Sequence, residues 1–393
     1  MDFRYTPEED AFRDEVRTWL GEHLVGEFKE VGPAAGPADD RDWDVRVAWE
    51  RELGKAGWIG LGWPEDVGGR GCSVIEEVIF AEEYARASAP GRLSFFGEGL
   101  LGPTIVAVGT PEQKARFLPP IMAAEELWCQ GYSEPDAGSD LGGVQTRAVL
   151  DGDEWVINGQ KIWTTYAHHA DWIFAVVRTD PDAPKHKGIS YLLVPMHQDG
   201  VEVRGIRTLV GTSEFNEVFF TDARTSKDNV VGAINEGWKT AMTTLGFERG
   251  TAFLGQQLRF EEEMRELVTL AQKRGASDDP LLRQRLAGAY VKLRIMRYNG
   301  YRMLTAMARR GSVGPEASIG KLYWSTWHRS LGELEMDVMG AAAEIVGPGY
   351  EVDPFQTSFL SSRAETIYAG SSEIQRNVIA ERVLGLPREP SVQ

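Results

Sequence analysis

Cysteine is nearly absent: Cys72 and Cys129 are the only two in the chain. Two thiols cannot build a disulfide framework, and they fit a reducing compartment. Neither sits in a Cys-x-x-Cys motif, and the six histidines show no zinc-ligand spacing such as His-Glu-x-x-His, so no metal is expected. Basic charge is also scarce. Lys and Arg number 42 against 59 Asp and Glu, a formal net charge of −17. So acidic a surface repels phosphate backbones and anionic lipid, which argues against a nucleic-acid or membrane role. It leaves room for a local basic pocket around a phosphorylated cofactor. Long apolar runs are missing too. The longest, such as Trp172–Val177 and Tyr191–Met196, fall far short of the ~18 residues that span a bilayer. The start, MDFRYTPEED, lacks a signal-peptide core and the Arg-rich character of a transit peptide, so a cytoplasmic protein is expected.

What remains is an ordinary folded composition, 42% hydrophobic and 26% charged, which excludes disordered and collagen-like classes. At about 100–200 residues per domain, the length suggests two or three domains. Neither an internal repeat nor a low-complexity tract is seen. Residues 1–120 read as a helical N-terminal domain. Thr6-Pro7-Glu8-Glu9 is a capping box with Pro at the first helical position, and Phe12, Val16, Trp19 and Leu20 follow on one face. Thr110-Pro111-Glu112-Gln113 repeats the signal before Phe117. Pro64 to Gly71 and Ala89-Pro90-Gly91 read as breaks.

From 121 to 232 the pattern turns to short strands. Asn158-Gly159 between Trp155–Ile157 and Gln160–Thr164 predicts a hairpin turn. Trp172–Arg178, Ile189–Pro195, Val201–Ile206 and Glu217–Thr221 are further strands of a small antiparallel β-barrel or sandwich domain. From 233 to 393 the chain is helical again. Trp238–Lys273, weakened at Gly246, Gly250 and Gly255, reads as one long helix. Leu281–Arg309, Pro315–Met339 and Ser371–Leu384 complete a four-helix bundle. The class is α+β, with helical, β and helical domains in that order.

Four segments carry candidate chemistry. Gly131 to Asp140 packs Ser, Pro, Gly and Asp into one loop, whose free N–H groups and hydroxyls suit a flavin edge or a phosphate. An ordinary solvated interdomain loop has the same composition. Trp163-Thr164-Thr165 places residues 163 and 165 on one side of a strand, where an indole and a hydroxyl could cover an aromatic cofactor; a core Trp beside an edge Thr fits as well. Glu248-Arg249 follows Gly246-Phe247 on a helix, with Thr244, Leu245, Thr251 and Ala252 as the neighbours three and four residues away. A partly desolvated Glu248 would have a raised pKa suited to a general base, an effect that Arg249 would offset at close range. A solvated Glu with a structural Arg fits the bare sequence better. Tyr368-Ala369-Gly370-Ser371-Ser372-Glu373 reads as a stop followed by a helix start, which favours an anion or is simply a helix start.

Taken together these stretches resemble the acyl-CoA dehydrogenase family over nearly the whole chain. The matching segments are Gly57 to Pro64, Tyr132 to Asp140, Trp155 to Thr165, Phe247 to Arg249, and Tyr368 to Arg376. The resemblance implies FAD between the β domain and the C-terminal bundle, with an acyl-CoA thioester stacked on it. It implies that Gln130, Gly131, Tyr132 and Ser133, with Trp163, Thr164 and Thr165, line the isoalloxazine. Gly138 and Ser139 would also border the cofactor, with Ser139 at the CoA phosphate or pantetheine end. Ser371 and Glu373 would approach the FAD pyrophosphate. Arg274, Asp337 and Gly340 fall where a neighbouring subunit reaches FAD. Glu248 would be the base, and Gly246, Phe247, Arg249, Tyr368, Ala369 and Gly370 would contact substrate.

The chain departs from the commonest family pattern in three places. Ala369 stands where most members carry the catalytic Glu, so the resemblance is to the subgroup with the base on the long helix. That subgroup includes isovaleryl- and long-chain-like enzymes and actinobacterial-type dehydrogenases of pimeloyl-CoA or steroid side chains. Arg274-Gly275-Ala276-Ser277 lacks the usual Phe and Gly, and Asp337 replaces a Gln. Both changes fall on the side that serves a neighbour's FAD. They suggest pairing with a different homologous dehydrogenase subunit, an αβ or α2β2 hetero-oligomer with fewer flavins than subunits, in place of a homotetramer with one FAD per chain. The implied reaction is α,β-dehydrogenation to the trans-2-enoyl-CoA with electrons passed to an electron-transfer flavoprotein. An acyl-CoA oxidase, a flavin monooxygenase or a non-catalytic subunit are the alternatives.

Overall fold

A computed structural model describes residues 5–33, 41–247, 252–310, 314 and 317–388. The N-terminal region holds α1 (Pro7–His23), α2 (Glu27–Val31), α3 (Trp43–Lys55), α4 (Val74–Arg86), α5 (Gly102–Val108) and α6 (Pro111–Met122). Both capping boxes form. Glu9 N–H donates to the Thr6 hydroxyl at 3.2 Å and Thr6 N–H to the Glu9 carboxylate at 2.7 Å, and Thr110 and Gln113 repeat the exchange at α6. Phe12, Val16 and Leu20 are buried with Trp49, Trp58 and Ile79 in one core, while Trp19 is half-buried against it. Truncating a fully buried Trp such as Trp49 to Ala costs about 3–5 kcal/mol.

The middle region is one curled seven-stranded sheet of β1 (Trp128–Gly131), β2 (Arg147–Asp151), β3 (Glu154–Thr165), β4 (Trp172–Arg178), β5 (Ile189–Pro195), β6 (Val201–Ile206) and β7 (Phe215–Ser226). The order is β1-β4-β2-β3-β7-β6, with β5 also on β4. Strands β4 and β5 are buried on both faces. Phe174, Val176, Tyr191 and Leu193 face the helical core with Trp63, Leu100 and Phe117, whereas Ile173, Ala175, Val177, Leu192 and Val194 face the inside of the curl. That explains their unbroken apolar runs.

The sheet corrects two expectations. It is not wholly antiparallel: β1 runs parallel to β4 from Trp128↔Trp172 to Gly131↔Ala175, and β2 meets β4 in parallel at Arg147↔Arg178. Asn158-Gly159 is not a hairpin turn either, because β3 passes straight through it and the β2–β3 turn lies at Gly152-Asp153. Asn158 instead pairs across the strands with Asp222, donating and accepting at 2.9 Å. At Gly159 a Cβ would lie 2.6 Å from Thr146 Cα, so glycine is there for close backbone approach.

The C-terminal region holds α7 (Gly237–Phe247), α8 (Ala252–Lys273), α9 (Pro280–Arg310), α10 (Ala317–Met339), α11 (Pro354–Glu365) and α12 (Ser372–Val378). The long helix expected over 238–273 is therefore described as α7 and α8, with residues 248–251 outside the described residues. Helix α11 was not foreseen, and α12 is shorter than the expected Ser371–Leu384, passing into a wider turn over Ile379–Val383. Phe260, Leu267, Leu293, Trp324, Trp327 and Leu331 form the bundle core. The bundle is joined to the N-terminal helices where Arg297 of α9 donates to the buried Glu82 of α4. Glu82 and its neighbour Glu83 also receive Arg13 and Arg86, and Glu83 receives Arg17.

Inside the bundle His328 lies between two carboxylates, with Nδ1 2.7 Å from Glu365 and Nε2 3.0 Å from Glu263. Burial opposes the imidazolium, but the Glu263 and Glu365 charges outweigh it and push its pKa up to about 10. Glu335 rises to about 9, first through burial and then through the Glu263 charge. Both groups hold a proton in the folded state that the unfolded chain releases earlier. Their stabilisation is therefore full at low pH. The Glu335 part starts to fall above the ordinary carboxylate range, the His328 part above about 6.5, and both are lost as pH approaches 9–10. The urea midpoint is expected to fall steadily from pH 6.5 to 10, and His328→Gln to flatten much of that slope; a wild-type midpoint independent of pH in this window would contradict it.

Candidate active site

Strand β1 delivers the loop after Gly131 to the mouth of the curled sheet. At Gly131 a Cβ would sit 2.6 Å from Ile173 Cδ1, so a larger residue would have to displace that buried side chain where β1 pairs with β4. Gln130 is half-buried, and Tyr132 is buried edge-on against Phe174 and Tyr191. The loop is fixed from below by Lys161, which is fully buried. Its ammonium donates to the carbonyls of Tyr132 (3.2 Å) and Val176 (2.6 Å) and to Glu134 (2.7 Å). Glu134 also accepts the N–H groups of Gln145 and Thr146. Burial would raise the Glu134 pKa, but Lys161 and these donors hold it below the usual carboxylate range. Desolvation lowers that of Lys161. The Ser133 carbonyl accepts Ile162 N–H at 3.0 Å, which ties the loop to β3 a second time.

At that junction β3 is irregular. Its register with β7 shifts between Lys161 and Thr164, and Trp163 takes φ +61°. A left-handed residue with so large a side chain costs on the order of 1–3 kcal/mol, and such irregularities cluster beside active sites. The result is an indole that is 57% exposed, with its neighbour Thr164 buried and Thr165 half-buried. Thr164 Oγ1 is buried with no hydrogen-bond partner among the described residues, while its carbonyl accepts Asn216 Nδ2 at 3.0 Å. Gly138 and Ser139 are exposed further along the loop, before an Asp140–Lys185 ion pair.

Helix α7 packs on β5, whose Tyr191 also touches Tyr132. It is anchored by Thr244, whose hydroxyl meets Thr104 Oγ1 at 2.9 Å and Tyr191 OH at 3.3 Å. Gly237 lets the helix start against β5, since a Cβ there would meet the Ser190 backbone at 2.4 Å. Gly246 and Phe247 are exposed at the far end. The base assigned by sequence, Glu248, and Arg249 lie outside the described residues.

The third element is the turn between α11 and α12. Tyr368 is half-buried against the bundle core, Ala369 is exposed at φ +52° and Gly370 follows at φ +85°. Ala369 N–H donates to no acceptor among the described residues. Ser371 caps α12 by accepting Ile374 N–H at 3.3 Å. Glu373 is exposed, 3.4 Å from Arg376, and is held below the usual carboxylate range by its own N–H and then the Ser371 hydroxyl. Elsewhere, Arg274 is exposed and donates to the Met339 carbonyl at 2.9 Å, and Asp337 pairs with Arg285 at 2.6 Å beside Gly340.

The structure thus brings residues 130–134 and 161–165 into one bonded unit. Arg274, Asp337 and Gly340 gather at the ends of α8 and α10. No hydrogen bond among the described residues joins the 368–376 segment to the sheet. Sequence reasoning missed Lys161 and Glu134; a Lys in an alternating strand flanked by Ile157 and Trp163 was the available signal. Among the described residues no group of three or more His, Cys, Asp or Glu could hold a metal, and no helix is long and apolar enough to cross a membrane.

This three-part architecture is that of one enzyme class, and the chain belongs to the acyl-CoA dehydrogenase family. It matches the family's N-terminal domain over residues 6–125, its middle domain over 129–223 and its C-terminal domain over 235–384. It is an enzyme of acyl-CoA dehydrogenation. Among its relatives, acyl-CoA dehydrogenase IpdE1 of Mycobacterium tuberculosis is 52% identical over 381 residues, covering 97% of this chain and 98% of that protein. A solved structure titled Tcur3481-Tcur3483 steroid ACAD is 34% identical with a TM-score of 0.84, covering 99% and 100% of the two chains. The ChsE4-ChsE5 complex from M. tuberculosis is 31% identical with a TM-score of 0.83, at the same coverage.

Proposed function

We propose that this chain uses FAD to convert a bulky acyl-CoA, of the steroid-derived class, to its trans-2-enoyl-CoA, with an electron-transfer flavoprotein as acceptor. The observation that carries this reading is the irregularity in β3. It sets an exposed Trp163 indole beside a buried Thr164 hydroxyl that lacks a partner among the described residues, at the junction tied by Lys161. A flat aromatic ring with polar edges fits such a place: the indole covers its face, and the hydroxyl and loop N–H groups meet its edge.

The family's chemistry is flavin-dependent, and the bound flavin would supply the hydride acceptor. The chain's own residues do the rest. Gln130 to Ser133 and Trp163 to Thr165 would hold the ring, with Gly138 and Ser139 at its border and Ser139 reaching the CoA end. Ser371 and Glu373 would lie near the pyrophosphate. Glu248 would take the α-proton. The Ala369 N–H, which side-chain loss does not remove, would donate to the thioester oxygen as negative charge develops there. Gly246, Phe247, Arg249, Tyr368 and Gly370 would line the substrate. Similarity to the Tcur3481-Tcur3483 steroid ACAD supports a steroid-type acyl group.

The test is anaerobic bleaching of the purified protein's flavin by a panel of acyl-CoAs that includes a steroid side-chain thioester. Dye reduction without oxygen consumption separates a dehydrogenase from an oxidase or monooxygenase. A colourless protein that takes up no FAD would instead make the chain a non-catalytic subunit.

We further propose that the chain works in a hetero-oligomer with a homologous dehydrogenase subunit rather than as a homotetramer. Support comes from the face that would serve a neighbour: Asp337 is engaged by Arg285, and Arg274 by its own chain's Met339 carbonyl. Similar structures include the ChsE4-ChsE5 complex. Co-expression with homologous subunits is expected to give an assembly with fewer flavins than subunits. A stable homotetramer with one FAD per chain would overturn this. A cytoplasmic location and a division at 1–120, 121–232 and 233–393 complete the proposal.

A further inference from the structure

The turn over Tyr368 to Gly370 holds two successive residues at positive φ, one of them with a side chain. Such a turn keeps its shape only if something outside it fixes the peptide planes. Its start is held by α11, where Tyr368 N–H donates to the Ala364 carbonyl at 3.0 Å. Its far side rests on Gln375 of α12. This side chain is 1% exposed, and its Nε2 donates to the carbonyls of both Ala369 (3.1 Å) and Gly370 (3.3 Å). Its Oε1 is buried with no partner among the described residues. Among the described residues the amide is therefore oriented by the two carbonyls. The fit is tight from the other side as well, because a Cβ on Gly370 would come within 2.5 Å of the same Nε2.

We propose that Gln375 is a positioning residue for the reaction: by clamping the Ala369 and Gly370 carbonyls from behind, it aims the Ala369 N–H at the thioester oxygen. This rests on the oxyanion role given to Ala369 above. Gln375 touches neither substrate nor cofactor in this account. It acts across Ala369: the two peptides it holds follow Ala369, and with Tyr368 N–H fixed by α11 they keep Ala369 at its positive φ and so set the direction of the N–H in the preceding peptide. A preset donor direction matters most where charge grows during the reaction. A displacement of about 1 Å at such a donor can cost on the order of 10²-fold in rate.

The test compares wild type with Gln375→Met, which keeps the volume and removes the donor. Two readouts are needed: steady-state constants with the acyl-CoA that bleaches wild type best, and the infrared carbonyl band of its trans-2-enoyl-CoA labelled with carbon-13 at C1. The variant is expected to keep FAD, to hold KM within about threefold and to lose about 10–100-fold in kcat. The bound thioester band should lose at least half of its wild-type downshift. A purely structural role would not move that band. Wild-type kcat with the full downshift overturns the proposal. If Gln375→Met does not fold or hold FAD, Gln375→Leu is read the same way: its side chain cannot donate to either carbonyl, so wild-type values there also overturn it. If wild type is bleached by no acyl-CoA, the dehydrogenase reading fails instead, and the two failures are thereby distinct.

Discussion

Replacing Glu248 by Gln is expected to leave FAD bound and to slow anaerobic bleaching by acyl-CoA about 10²–10⁴-fold, the usual cost of losing one general base. The amide matches the carboxylate in size but cannot take up the proton. Stopped-flow absorbance of the flavin band checks this directly, with the flavin-to-protein ratio as the control for binding. In sequence Glu248 directly follows Phe247, the last described residue of α7, whose Thr244 is bonded into both α5 and β5. Reduction at near wild-type speed would mean that another group takes the proton. Ala369, at the site most of the family uses for its base, cannot be that group.

The second large effect is structural. Lys161→Met would leave the Glu134 carboxylate and the Tyr132 and Val176 carbonyls without their buried cation. Removing one member of a buried ion pair typically costs about 3–5 kcal/mol, most of it the penalty of the stranded partner. The variant is therefore expected to unfold at a much lower urea concentration and to retain less FAD. Adding Glu134→Gln should recover part of the loss, since the stranded charge is removed while an amide oxygen still accepts from Gln145 or Thr146. A double variant no better than the single one would show that the carboxylate is not the source of the cost.

Local rules decided which parts of this architecture could be read in advance. Thr6-Pro7 and Thr110-Pro111 announce α1 and α6 because a cap and its partners lie within four residues of each other. The same rule would have found α11, where Asp353-Pro354-Phe355-Gln356 forms another capping box. Asn158-Gly159 misled because the residues that favour a tight turn also serve a strand that another chain segment approaches closely. The parallel pairing of β1 with β4 could not be read at all, since it is set by Trp128 and Trp172 packing against Phe117 rather than by any local pattern. At the candidate site, the Trp163 to Thr165 stretch drew attention by residue type. Its exposure arises from a register shift against β7, which depends on a strand 50 residues further along the chain (Thr164↔Asn216 gives the scale). Lys161 escaped notice for the same reason: its partners come from β4 and from the loop after β1.

The contact of Arg297 with Glu82 joins parts of the polypeptide that are made at very different times during synthesis. Before α9 is made, Glu82 and Glu83 are met among the described residues by Arg13, Arg17 and Arg86 of their own region, so the early helices carry a balanced charge cluster from the start. Arg297 is added only once the last third has been translated, which makes this contact a late lock between the first and last parts of the chain.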